Sequence, residues 1–208
     1  MNEKVREYRE KLRRHPIIQD TLNLLKRDLP SNLHYHAFSH TEDVFDEAIL
    51  FALTDNLPER DIELLAIAAA CHDMGFVQSM VENEPIGAAF ARQQMEKVGG
   101  YTTEEIGVVE RMILDTTMVS TADGLKQVPT IPLSGYLLDA DLSNLGRDDF
   151  FEKGQLLRKE LGIEPEPFGK AAYSLVGNHA WHTPAAHALR QKKKEENIAA
   201  LKAMIASS

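Results

Sequence analysis

The sequence predicts an all-α protein, a compact multi-helix bundle, and three observations carry that expectation. Apolar residues recur with a period near 3.6 along almost every segment, residues that start and stop helices bracket those segments, and alternating or β-branched runs of strand length are missing. The chain has 208 residues, of which 43% are hydrophobic, enough for a proper core; at that length one domain is the default. Within residues 1–208 the pattern suggests an amino-terminal helical pair (1–29), a central core (33–161) and a carboxy-terminal helical pair (166–207).

Taken in order, Val5, Tyr8 and Leu12 make one short apolar stripe. Pro16 suits a first helical turn, and Ile18, Leu22, Leu25 and Leu29 make the second stripe behind it. Ser39-His40-Thr41-Glu42 has the capping-box pattern, which predicts a helix from about His40 burying Val44, Ala48 and Phe51 or Ala52, with His36 in the preceding loop. Ile62, Leu65 and Ala69 form the next stripe; His72 continues it with Asp73 at its edge, and Gly75 is the expected stop. A further helix spans about Pro85 to Val98, closed by Gly99-Gly100. Thr102-Thr103-Glu104-Glu105 caps another that buries Ile106, Val109 and Ile113. The stretch from Met118 to Pro132 holds Gly124, Pro129 and Pro132 without a clear period and reads as one long loop. Leu133, Leu137, Ala140 and Asn144 mark a helix stopping at Gly146, with Asp141 beside its buried stripe. Phe150, Leu157 and Leu161 continue to Gly162, after which Glu164-Pro165-Glu166-Pro167 reads as a rigid connector. A helix from Phe168 to about Trp181 follows, and Thr183-Pro184 pairs an N-cap with a first-turn proline to open the last one. The connector can set these two helices apart as a subdomain, though nothing in the pattern requires a second core.

Composition excludes several classes. No apolar run approaches the length needed to cross a bilayer, and the charged amino terminus has neither an apolar stretch nor a cleavage site behind it, so a cytoplasmic protein is expected, with no membrane partner. A single cysteine, Cys71, rules out an intramolecular disulfide framework and any multi-cysteine zinc or iron-sulfur site; it is expected to be a buried structural thiol. The net charge of −9 argues against tracking a nucleic-acid backbone. The one basic run, Gln191-Lys192-Lys193-Lys194, is followed at once by Glu195-Glu196 and reads as a solvated helix face. Gly99-Gly100 lacks the strand and the lysine of a phosphate-binding loop.

The residues that point to chemistry are few. His40 at one helix start, His72-Asp73 at another's end and Asp141 on a third each present a polar group to an apolar face. A buried carboxylate beside a buried imidazole is costly unless its charge is compensated, and a divalent cation would compensate both. Two imidazoles and two carboxylates suit one divalent ion, or two, such as Mn²⁺, Fe²⁺, Co²⁺, Ni²⁺, Zn²⁺ or Mg²⁺. Such an ion lowers the pKa of a coordinated water and makes a hydrolytic nucleophile near neutral pH. Singly, each residue has an ordinary alternative as a cap or surface group; together they form a pattern.

Tyr35-His36-Ala37-Phe38-Ser39-His40-Thr41-Glu42, then His72-Asp73, then Asp139-Ala140-Asp141-Leu142 resembles the HD superfamily of metal-dependent phosphohydrolases over roughly residues 33–161. The resemblance implies an HD-type bundle in which His40, His72, Asp73 and Asp141 are metal ligands and Asp73 can bridge two ions. The Tyr-His-x-x-x-His spacing and Asp141-Leu142-Ser143-Asn144 are also similar to cyclic-nucleotide phosphodiesterases, whose first histidine protonates the leaving oxygen; carried over, that role falls on His36. Ala37 and Met74-Gly75-Phe76 depart from their pattern and weigh against a cyclic-nucleotide substrate. Asn83-Glu84 with Ala88 downstream resembles a segment of small bacterial-type members, which places Glu84 near the site as a substrate or metal-water contact, with a plain helix-start carboxylate as the alternative. His179 is a candidate contact for substrate phosphate, with a buried histidine packed by Trp181 as its alternative. Thr116-Thr117 offers hydroxyls that can also simply cap a helix end. The expectation is therefore hydrolysis of a phosphoester or phosphoanhydride of a nucleotide-like small metabolite through a metal-activated water. Two rivals stand beside it: a non-catalytic nucleotide-binding regulatory module, and a di-iron oxygenase of the same superfamily, the latter weakened because no histidine lies between Asp73 and Asp141.

Overall fold

The computed structural model describes residues 3–122 and 124–206; the first two and last two positions, and residue 123 of the expected long loop, lie outside the described residues. Among the described residues ten helices pack together: α1 (Glu3–Arg13), α2 (Pro16–Asp28), α3 (Phe38–Thr54), α4 (Glu59–Cys71), α5 (Asn83–Val98), α6 (Thr103–Leu114), α7 (Ser134–Asp141), α8 (Phe150–Leu161), α9 (Pro165–Asn178) and α10 (Pro184–Ala206). Short 3-10 turns, Met74–Val77 and Ser143–Gly146, follow α4 and α7. No described helix is long and apolar enough to cross a membrane.

α4 is the central element because, beyond its charged start (Glu59, Arg60, Asp61 and Glu63), its sequence leaves it no polar face: Ile62 and every residue from Leu64 to Cys71 are buried. A helix apolar all round must be enclosed. α2, α3, α5, α6 and α7 enclose it, with Phe45, Ile49 and Phe51 of α3 and Met112 and Ile113 of α6 among the fully buried side chains. Each such side chain stabilises the fold by about 1.5–3 kcal/mol relative to exposure. Cys71 lies in this core beside the Thr21 hydroxyl, and burial pushes its thiol up to about 12, as a structural thiol should be. A smaller cluster, Leu145, Phe150, Val176 and Leu201, forms where α8, α9 and α10 meet, while Ala185 and Ala186 at the start of α10 belong to the main core.

Several expected ends move, each for a local reason. α3 starts at Phe38 rather than His40, with Ala37 at its N-cap and no side-chain cap bond; the preceding loop is held instead from outside, by Glu160. The capping box at Thr102 and Glu105 forms as expected. α4 stops at Cys71, ahead of Gly75, and α5 begins at Asn83, ahead of Pro85, because the two ends abut. A Cβ at Gly75 would lie 2.1 Å from the Asn83 carbonyl oxygen, and one at Gly87 would lie 2.8 Å from that of Cys71. The expected long loop contains an antiparallel hairpin, β1 (Val119–Thr121) with β2 (Gly124–Lys126), too short to show a strand period. Pro165 and Pro167 are not a connector but the first turn of α9, where proline lacks nothing the helix needs. α9 ends at Asn178, short of Trp181, and Lys194 Nζ donates to the carbonyl of His179 just beyond. Lys194 is thus only 3% exposed, contrary to the solvated face expected of its basic run, whereas Gln191 does pair with Glu195 at i,i+4.

Candidate metal centre

Four side chains from three parts of the chain meet where α3, α4 and α7 converge. His40 comes from the first turn of α3, His72 and Asp73 from the turn that ends α4, and Asp141 from the last residue of α7. His40 Nε2 lies 3.0 Å from Asp141 Oδ1 and 3.6 Å from Asp73 Oδ2. His72 Nε2 lies 3.2 Å from Asp73 Oδ2 and 3.8 Å from Asp141 Oδ1. His40, His72 and Asp73 are 4%, 1% and 4% exposed and form a group that could hold a metal ion.

The way three of the four side chains are pinned shows why the site could hold a cation. The carbonyl oxygen of Ala69 accepts from His72 Nδ1 at 2.8 Å, which turns Nε2 to the cluster. Asn83 Nδ2 donates to Asp73 Oδ1 at 3.0 Å, which leaves Oδ2 for the cluster. Gln127 Nε2 donates to Asp141 Oδ2 at 2.6 Å, which leaves Oδ1. His72 Nε2 and Asp73 Oδ2 are buried and, despite their closeness, not aligned for a hydrogen bond, so both remain without a partner. Buried polar atoms without partners are costly, and a metal-ligating histidine characteristically gives its other nitrogen to a carbonyl.

Electrostatics agree. Burial disfavours a charged His72, but the negative charge of Asp73 and Asp141 overcomes it and holds the imidazolium up to about 9. Burial also opposes ionisation of Asp73 and Asp141, and the neighbouring imidazoles reverse this and hold both carboxyls below their ordinary range. The carboxylates thus take their positive partner from a proton. A metal ion would have to displace that proton, so its uptake would compete with protonation.

His36 stands at the edge of the same cluster, its ring centroid 5.6 Å from that of His40 and 4.6 Å from that of Phe76. Its anchor is Glu160 of α8. One carboxylate oxygen accepts from the backbone N–H groups of Tyr35 at 2.8 Å and His36 at 3.1 Å, and the other contacts His36 Nδ1. Burial works against a charged His36, but the Glu160 bond and the charges of Asp73 and Asp141 prevail and raise its pKa above the ordinary value.

Sequence reasoning missed Glu160, Asn83 and Gln127. Glu160 sits three residues after Leu157 on the apolar period read from the sequence; of that period the structure buries only Phe150, leaving Leu157 half-buried and Leu161 53% exposed, while the Glu160 side chain is only 3% exposed. Asn83 was seen only as the neighbour of Glu84, yet Asn83 is the one that reaches Asp73. Glu84 is half-buried in the first turn of α5, and its side chain has no hydrogen bond or ion pair with a described residue. Gln127 had no signal, since its loop has no period.

The other singled-out residues have local roles. Thr116 Oγ1 donates to the Ile113 carbonyl and caps α6. Asp139, next but one to Asp141, accepts from the backbone N–H groups of His182 and Thr183 and from the Thr183 hydroxyl, tying α7 to the start of α10. His179 lies away from the four, packed edge-on against Trp181 at 4.5 Å, with Lys194 Nζ 3.1 Å from its Nδ1. His179 does line a cavity of about 240 Å³ beneath the hairpin, of which Gln127 is also a wall.

Compared with known proteins, the chain matches no family model and no curated protein. The helical architecture and the His-His-Asp group are compatible with an HD-type domain.

Proposed function

We propose that this protein is a metal-dependent phosphohydrolase of the HD type, cleaving a phosphoester or phosphoanhydride of a small phosphorylated metabolite, with His40, His72, Asp73 and Asp141 as ligands of the divalent ion. The observation that carries the reading is the pinning pattern. In three of the four side chains one polar atom is tied to the protein and the other is turned to a common point, where two are left without a partner. When bound, the ion supplies Lewis acidity and an activated water nucleophile.

The protein's own residues do the rest. Asp73 and Asp141, oriented by Asn83 and Gln127, set the negative charge of the site and the direction from which it is presented. Glu160 engages His36 Nδ1 and the backbone around it, so Nε2 is the ring nitrogen left to donate a proton to the departing oxygen as the phosphorus–oxygen bond breaks. Burial opposes charge on His36, but Glu160 and the nearby carboxylates outweigh it, so the imidazole holds its proton more firmly than an ordinary histidine. Phe76 packs its ring, tilted by 37°, against that of His36 and helps to fix the imidazole's orientation. The test is turnover of bis-p-nitrophenyl phosphate by protein loaded separately with Mn²⁺, Ni²⁺ and Co²⁺. Activity that vanishes in Asp73→Ala supports the reading, and unchanged activity in that variant refutes it.

A further inference from the structure

Three of the four candidate ligands are held by hydrogen bonds from outside the cluster, and His40 is not. Its one side-chain hydrogen bond among the described residues, Nε2 to Asp141 Oδ1 at 3.0 Å, is made to another candidate ligand. A metal ion would replace that bond, and an imidazole with neither nitrogen tied to the rest of the protein can turn about its Cβ–Cγ bond. Ring packing holds it instead. The Tyr35 ring lies 4.7 Å from that of His40, centroid to centroid, and is tilted by 37°. His36 and His72 stand across it at 5.6 and 5.5 Å, their planes turned by 89° and 68°.

Tyr35 is itself anchored at both ends. Its backbone N–H donates to Glu160 at 2.8 Å, its hydroxyl donates to Asn144 Oδ1 at 3.4 Å, and the residue is 7% exposed. Asn144 belongs to the 3-10 turn that follows α7, so the hydroxyl ties the ring to the segment that carries Asp141. Burial, with the negative charges of Asp141 and Asp73 close by, holds the phenol well above its ordinary pKa, so the hydroxyl keeps the proton it donates.

We propose that Tyr35 is the positioning residue of the fourth ligand: its anchored ring sets the plane of His40 and so aims Nε2 at the metal. Ala69, Asn83 and Gln127 perform that task for the other three through hydrogen bonds. The proposal rests on the metal-dependent reading of the centre and adds to it a residue that ligates nothing.

Mn²⁺ binding followed by electron paramagnetic resonance reads the ligands without turnover. Tyr35→Phe keeps the ring and should bind within about twofold of wild type. Tyr35→Leu removes the ring and should bind at least about tenfold more weakly, the loss usual for an orienting partner. Pulsed resonance at saturating Mn²⁺ should show the nitrogens of two imidazoles in wild type and Tyr35→Phe, and of one in Tyr35→Leu. Leu33→Ala, in the same loop and 4% exposed, controls for lost packing: it should unfold at a lower temperature and bind Mn²⁺ within about twofold of wild type. Should Tyr35→Leu fail to fold, Tyr35→Met, whose flexible chain fills irregular space, takes its place with the same outcomes. Affinity within about twofold of wild type in that variant, or two imidazoles on its bound ion, overturns the proposal. An equal loss in Leu33→Ala makes loop packing the cause, and an equal loss in Tyr35→Phe makes the hydroxyl the cause; either overturns it. A wild type that binds no Mn²⁺ overturns the reading of the centre, and the proposal with it.

Discussion

Truncating Asn83 to alanine should uncouple the His72-Asp73 turn from α5, and the structure sets the size of the effect. Asn83 Nδ2 donates to Asp73 Oδ1 at 3.0 Å and approaches the His72 carbonyl at 3.4 Å, while its Oδ1 accepts from the Phe76 backbone N–H at 3.1 Å. The residue is buried, so the variant strands a carboxylate oxygen and an amide proton together. A hydrogen bond to a charged group contributes about 1.5–3 kcal/mol, and a stranded buried N–H costs about 1–3 kcal/mol. A loss of about 3 kcal/mol in the stability of the metal-free protein follows, measurable by urea unfolding. Released from Asn83, Asp73 can rotate, and loss of such an orienting partner typically weakens metal binding about 10–100-fold. Free Mn²⁺ followed by electron paramagnetic resonance reads that directly. Glu84→Ala is the matched control, one residue away and without a bond to the site, and should bind Mn²⁺ as the wild type does. A folded Asn83→Ala protein with Mn²⁺ affinity within about twofold of wild type would refute the argument that pinned ligand atoms define the centre.

Replacing Glu160 with glutamine keeps an acceptor for the Tyr35 and His36 amides but removes the charge that favours imidazolium on His36. Turnover should fall at least tenfold, the alkaline limb of kcat/KM should move to lower pH because His36 releases its proton sooner, and Mn²⁺ affinity should stay unchanged; steady-state pH profiles and a metal titration check all three. His179 predicts a pH-dependent stability. Its folded pKa, about 3, lies below the unfolded value near 6.5, so between those limits the unfolded chain binds the extra proton and stability is lost as pH falls. From pH 6.5 to 5 the wild type should lose about 1.6 kcal/mol more than His179→Gln, the slope rising toward 1.36 kcal/mol per pH unit as the unfolded imidazole becomes fully protonated, as paired urea titrations would show.

What the sequence disclosed and withheld follows from the physics of each residue. The stripe through Ile62, Leu65 and Ala69 carried His72 inward because α4 is long and apolar enough for its period to be read, and the capping box at Thr102 is a contiguous signal. The boundary of α3 departs from the pattern because Ser39 looks like a cap, whereas the loop before the helix is fixed by Glu160 from a helix more than a hundred residues away. The basic run misled in the same way. Lys193 does meet solvent and Asp148, but Lys194 turns into the α9–α10 seam toward His179, a tertiary choice with no local trace. The ligand candidates were legible as a pattern of residue types, while two of the residues that orient them were not. Asn83 and Gln127 act through one amide each: Asn83 lies in a recognisable segment in which the charged Glu84 draws the attention, and Gln127 lies in an aperiodic loop with no mark at all.

The most direct measurement is anomalous diffraction from a crystal soaked in Mn²⁺. The account predicts one strong peak within about 2.0–2.3 Å of His40 Nε2, His72 Nε2, an oxygen of Asp73 and Asp141 Oδ1, the distances usual for nitrogen and oxygen ligands of such ions. A peak elsewhere, or none among these four at millimolar Mn²⁺, would contradict it.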